Sequence, residues 1–299
     1  MSNPADAETL KAQAEVDALL QRVMEQMDTL TFDPSDSDVL KQMVEGFSDS
    51  RGMVRLRLAE TLGEIGEPAT PFLLEALANH SNPVVRRACA KTLTLIADPM
   101  AIPTLVHSLL NDEDTVVKGS SIGALARTGE AAVPELLRIL ESDYSESIKG
   151  HAAWALAFIG AEAKDLLYQA LKSDSEEVRA AVVAAIAKVA QEDPKAGAYD
   201  ILLDSLADPS QTVRSEAAAV LGNLAYKPAL PTFLQLLTHA EAETRKAAAL
   251  ALMKIGDLAA IEPLKTALEQ ESEAPIQAVI KLAISQLEKR SADEEDSWD

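Results

Sequence analysis

Aromatic side chains are scarce in this 299-residue chain, 4% of it against an apolar fraction of 47%. A core must therefore be assembled from Ala, Leu, Val and Ile. Cysteine occurs once, which excludes a disulfide framework and a zinc site built from cysteines alone. Basic residues are outnumbered 27 to 48, for a formal charge of -21. A surface of that sign repels phosphate backbones and anionic lipid, so neither a nucleic-acid partner nor membrane insertion is expected. Long apolar runs are missing too. One of the longest, Ala180 to Ala187, is fenced by Arg179 and Lys188 and is too short for a bilayer. The opening MSNPADAETL lacks the basic and apolar segments of a signal peptide, and a cytoplasmic location is expected.

Catalytic signatures are equally thin. His80, His107, His151 and His239 fall in different parts of the chain with no metal-binding spacing. Glycines occur one at a time, never as a phosphate-cradling loop. Cys89 lies on an apolar helical stripe and reads as a buried structural thiol. No catalytic residue, resident metal or cofactor is assigned, and the balance leans away from an enzyme.

What is present is charge at the ends and a repeat between them. Residues 1–50 carry 11 acidic and 3 basic residues, and 291–299 carry 5 acidic and none basic. The chain divides into an N-terminal amphipathic helix with its linker (1–34), a repeat region (35–290) and an acidic, disordered tail (291–299) ending near Trp298. The helix, marked by Val16, Leu19, Leu20, Val23, Met27 and Leu30, is expected to cap the first repeat.

The repeat is a β-branched residue followed by a basic one, with an apolar residue ten positions after the basic residue. The basic position is filled by Arg55, Arg86, Lys118, Lys149, Arg179, Arg214 and Arg245, and finally by Gln277. The steps between them are 31, 32, 31, 30, 35, 31 and 32 residues. Counting Arg86 as zero, Cys89, Leu93 and Ile96 form one helical stripe. A second helix per unit opens at Thr70-Pro71, Ile102-Pro103, Val133-Pro134, Leu230-Pro231 and Glu262-Pro263, where the missing N–H of proline costs least. Ser-Asn-Pro at 81–83, Asn-Asp-Glu-Asp at 111–114 and Asp-Pro-Ser at 208–210 supply natural caps for the helices after the loops. The expected fold is all-α: a right-handed α-solenoid of about eight helical hairpins, each burying its faces against its neighbours. The ladder of basic residues is expected to serve hydrogen bonding between repeats, near acidic loops in which Asp49, Asp112, Asp143, Asp174 and Asp208 precede Arg55, Lys118, Lys149, Arg179 and Arg214 by five or six residues.

Units such as NPVVRRACAKTLTLIADPMAIPTLVHSLL (82–110) resemble HEAT-type repeats of the phycobilisome-lyase class, over roughly residues 36–290. The stretches DSRGMVRLRLAETLGEIGEP (49–68) and KGHAAWALAFIG (149–160) are more similar to cyanobacterial non-lyase members than to the aromatic-rich lyase subunits. The resemblance implies a non-enzymatic scaffold for phycobiliproteins or phycobilisome linkers. It implies, as alternatives, a bilin lyase handling phycocyanobilin as a transient substrate, or a partner in iron–sulfur cluster assembly.

The candidate interface is read from departures within the repeat. Positions +2, +5 and +9 lie opposite the core stripe, on the face that lines the concave surface of a HEAT array. His151, Trp154 and Phe158 stand there where later repeats carry Ala181, Ala184 and Lys188. With Arg87, Lys91, Leu95 and Arg127 they would form a basic and apolar strip, the form expected of a protein-binding hot spot.

Overall fold

The computed structural model describes residues 4–194 and 197–296. Among these, every regular element is helical. A single helix, α1 (Pro4–Asp28), precedes eight pairs. They are α2 and α3 (Ser37–Glu45, Gly52–Ile65), α4 and α5 (Thr70–Asn79, Pro83–Ile96), α6 and α7 (Ile102–Asn111, Thr115–Arg127), and α8 and α9 (Val133–Glu141, Glu146–Ile159). Then come α10 and α11 (Lys164–Ala170, Glu176–Glu192), α12 and α13 (Ala198–Asp204, Gln211–Asn223), α14 and α15 (Leu230–Leu236, Ala242–Ile255), and α16 and α17 (Ile261–Gln270, Ala274–Asp296). This is the all-α solenoid that the repeat requires. No described helix is long and apolar enough to cross a membrane.

The chain forms two compact units, one of residues 1–136 with 145–155, the other of 137–144 with 156–299. In the first, α3 packs on α5 and α5 on α7; in the second, α11, α13, α15 and α17 stack in succession. Within each unit the second helices of these pairs thus supply the stacking direction. Its core stripe is fully buried where it matters most: Leu58 and Leu62 in α3, Cys89 and Leu93 in α5, Ala217 and Leu221 in α13. Burial also pushes the Cys89 thiol well above its ordinary pKa. Close stacking needs small residues. A Cβ on Gly222 would come within 3.0 Å of the Ala251 Cα on the next helix.

Two of the three loops cap as read: Asn82 accepts from the Val84 N–H and Asp114 from Val116 and Val117, and Asp36 also caps α2 by accepting from Val39. Ser210 departs. It occupies the cap position of α13, but its hydroxyl donates to Glu176 at 2.6 Å instead of accepting from the helix. After α5, α7, α9, α13 and α15 the chain turns through a residue of positive φ. Gly129, Gly160 and Gly256 supply the positive φ there, while Ala97 and Ala225 adopt it despite their Cβ atoms.

The basic ladder joins repeats, with a register that differs from the expected one. Arg179 Nη1 donates backward to the carbonyls of Ser173 and Asp174, at 2.9 and 3.1 Å. Its Nε and Nη2 donate forward to Asp208, at 2.9 and 3.0 Å. The same arrangement joins Arg86 to Asp112 and Arg245 to Glu271, and Arg214 likewise bonds Glu241. The acidic loops therefore serve the arginine of the preceding repeat. The loop backbone, not its carboxylate, serves the arginine that follows.

At the N-terminus α1 buries Leu19, Leu20 and Val23, and Arg51 ties it down by donating to Asp17 at 2.9 Å and to the Gln13 carbonyl at 3.1 Å. At the other end the expected boundary at 290 is passed, because α17 continues through Asp296. Trp298 lies outside the described residues.

Candidate partner-binding face

Six of the seven candidate residues fall in the first compact unit: Arg87, Lys91 and Leu95 on α5, Arg127 on α7, and His151 and Trp154 on α9. Periodicity puts them there. In α5, Cys89 and Leu93 face the core, so Lys91 and Leu95 at intervening positions turn outward. Leu95 is 58% exposed and Trp154 51% exposed. Trp154 is therefore no part of the core. Lys91 and Arg127 are exposed and make no ion pair or hydrogen bond among the described residues. His151 is half-buried. Gly63 explains how Leu95 lies: a Cβ there would approach the leucine side chain to 3.0 Å, so the side chain leans across the glycine of α3.

Arg87 is placed differently from the sequence reading. Its guanidinium is bonded to Asp114, the residue that caps α7, and is half-buried. The Asp114 carboxyl is held down to about 2, chiefly by that guanidinium and against the effect of burial, with help from the Val117 and Val116 N–H groups. Arg87 is thus a clasp between α5 and α7 and offers no free cation to a partner.

Phe158, the seventh candidate, belongs to the second unit and is 40% exposed. Lys188 of α11 covers it, with Nζ 5.1 Å from the ring centroid and bonded to the Phe158 carbonyl. Farther along that unit, burial pushes the Glu216 carboxyl up.

No group of three His, Cys, Asp or Glu side chains among the described residues is arranged to hold a metal. Two open clefts in the first unit measure about 310 and 370 Å³ and share His80 as a lining residue. Neither is lined by a residue of the candidate face, and the first is bounded by the Arg86–Asp112 bridge already committed to stacking. The sequence reading overlooks a second exposed apolar group, Met53, Leu56 and Val116, at the N-terminal ends of α3 and α7. A repeat-by-repeat comparison of the positions flanking the basic residue would have found it.

Comparison with known proteins accords with this architecture. HEAT repeats match at residues 37–126, 70–157, 133–207 and 199–285. The bilin biosynthesis protein MpeU of Synechococcus sp. (strain WH8020) is 38% identical over 257 residues, which is 85% of this chain and 86% of MpeU. A deoxyhypusine hydroxylase of Drosophila pseudoobscura pseudoobscura is 39% identical over 85 residues, 28% of each chain. Among solved structures, Kap121p aligns with a TM-score of 0.55 at 15% identity, over 91% of this chain and 37% of that one, a likeness of fold. The chain belongs to the HEAT-repeat family, as a phycobilisome-lyase-like member related along most of its length to MpeU.

Proposed function

We propose that this protein serves bilin biosynthesis by docking a phycobiliprotein on the face that carries Lys91, Leu95, Arg127 and Trp154. The kinship with a bilin biosynthesis protein over 85% of the chain supports the pathway. The observation that carries the docking role is Trp154, a large aromatic 51% exposed on a chain with few aromatics. An exposed tryptophan on a run of stacking helices that also carries exposed Leu95 and two cations without an ion pair among the described residues is the composition of a binding hot spot.

Substituting Trp154→Ala is expected to weaken binding to a purified phycobiliprotein by about 2 kcal/mol, roughly thirtyfold, with the helical circular-dichroism signal intact. Undiminished binding would remove the docking role, and loss of helicity would make Trp154 a folding residue. A second reading, a lyase that attaches phycocyanobilin, is favoured by the name of the relative alone. Incubating apo-phycobiliprotein with phycocyanobilin and this protein separates the two readings. Docking alone leaves the bilin extractable from the denatured phycobiliprotein, whereas a lyase leaves it covalently bound.

A further inference from the structure

A repeat protein contains its own control, because equivalent positions in successive units meet the same local packing. The residue two before the basic position points outward while its neighbour one before is buried, as Val85, Val117, Val178 and Val213 are. In α3, α5 and α7 that outward position holds Met53, Val84 and Val116, all apolar. From α9 to α15 it is polar, with Ser147 on α9, Glu177 on α11, Thr212 on α13 and Glu243 on α15, and α17 carries Pro275 there. One turn further, Leu56 of α3 contrasts with Ser215 and Lys246. Met53, Leu56 and Val116 are 66%, 48% and 46% exposed. The fold accepts a carboxylate or a hydroxyl at this position, so its apolar character in α3, α5 and α7 has no origin in stacking.

The charge beside the strip is as uneven. In a chain with 48 acidic and 27 basic residues, α5 and α7 contain no acidic residue and carry Arg86, Arg87, Lys91, Lys118 and Arg127. Arg86 and Arg87 are consumed by Asp112 and Asp114, and Lys118 donates to the Leu110 carbonyl at 3.2 Å. Lys91 and Arg127 remain, joined by Arg57 on α3, which is exposed and without an ion pair among the described residues. Glu60 and Glu64, the acidic residues of α3, line one cleft with Arg57 and Asp28, whereas no acidic residue lies on α5 or α7 beside Lys91 and Arg127.

We propose that the N-terminal ends of α3, α5 and α7 form a docking strip for an amphipathic α-helix of a partner protein, its apolar face flanked by carboxylates. Three stacked helices at about 10 Å spacing give a strip roughly 20 Å across, which a helix of about 13 residues spans at 1.5 Å per residue. Met53, Leu56, Val84 and Val116 would take the apolar face, and Arg57 and Lys91 the flanking carboxylates. The inference rests on the reading that this protein docks a protein, and names the kind of segment it takes.

The test uses two fluorescent 14-residue helical peptides with the same leucine face, one flanked by glutamates and the other by lysines, titrated with the full-length protein and read by anisotropy. The glutamate peptide is expected to bind at least tenfold more tightly, and to weaken as salt is raised. The double variant Met53→Glu with Val116→Glu should lose at least tenfold while its circular dichroism stays unchanged, since the chain already folds with Glu177 and Glu243 at that position. Val84→Thr, copying Thr212, gives a milder second variant with a smaller loss. Equal binding of the two peptides, or undiminished binding by the folded variants, overturns the proposal. So does self-association of the wild-type chain in sedimentation that the double variant abolishes, which would make a second copy the occupant. No phycobiliprotein enters this assay, so its failure leaves the Trp154 experiment standing, and the converse holds.

Discussion

The Glu271 carboxylate is the anchor at the C-terminal end of the arginine ladder, and Glu271→Gln tests what such an anchor is worth. The side chain is 3% exposed. One oxygen accepts from Arg245 Nη2 at 3.0 Å and from the Ser272 and Glu273 N–H groups at 2.9 and 3.0 Å. The other accepts from Arg245 Nε at 2.7 Å. Glutamine keeps one oxygen, so three contacts survive more weakly on a neutral acceptor, while its NH2 meets the Arg245 Nε–H donor to donor. Hydrogen bonds to charged groups contribute about 1.5–3 kcal/mol each, and breaking a buried pair costs about 3–5. A loss of about 3 kcal/mol at pH 7 is expected in urea unfolding followed by circular dichroism.

The pH dependence fixes the cause. The Arg245 guanidinium, with the two backbone N–H groups and against the effect of burial, holds the Glu271 carboxyl down to about 2 from 4.5. A depressed carboxyl stabilises the fold fully above its unfolded value and loses that contribution as pH falls through the folded one. The gap between wild type and variant should therefore be full at pH 6, shrink below pH 4.5 and close near pH 2. Carboxylates common to both proteins cancel in the comparison. Measuring at pH 6 and pH 3 stays clear of the pI near 4.6, where solubility falls. A gap under 1 kcal/mol at pH 6, or one unchanged at pH 3, would refute the reasoning.

Two further outcomes follow from single buried groups. Thr70 opens α4 fully buried, and its Oγ1 has no hydrogen-bond partner among the described residues, whereas Ile102, Val133, Leu230 and Ile261 open the corresponding helices of other repeats. Thr70→Val should raise stability by about 1 kcal/mol in the same urea assay, and a fall would show that the hydroxyl is bonded in solution. The buried thiol of Cys89 should resist a thiol reagent at pH 8 in the native protein and react within the mixing time in urea. Rapid native labelling would mean that α5 opens on its own.

Much of this was legible because a solenoid repeats its instructions. Proline at Pro71, Pro103 and Pro231 marks where helices begin, and the Cys89–Leu93 stripe marks which face is buried. Arg87 misleads because its partner, Asp114, stands 27 residues away, and a single repeat gives no sign of which neighbour a charge will meet. The forward partner of Arg179 is hidden for the same reason, since Asp208 is as close in sequence to the next arginine, Arg214, as a local pair would be. Ser210 has the residue type of a cap, yet Glu176 on the preceding stacking helix competes for its hydroxyl. Composition suggests disorder after residue 290, whereas Ile276, Ile280, Ala283, Ile284 and Leu287 anchor a helix that carries its polar extension through Asp296.

The arginine clamps also divide the turns of the molecule into two kinds. Backward, the reach is invariant: Arg86, Arg179, Arg214 and Arg245 each hold carbonyls five and six residues earlier. Forward, it is elastic, with 26 residues from Arg86 to Asp112 and 29 from Arg179 to Asp208. The additional length enters around Pro194, between α11 and α12, and the clamp closes regardless. One row of turns is thus counted to the residue, and the opposite row is free to vary. A reporter peptide grafted near Pro194 should leave the stack intact, whereas one residue added between His80 and Arg86 would unhook a repeat.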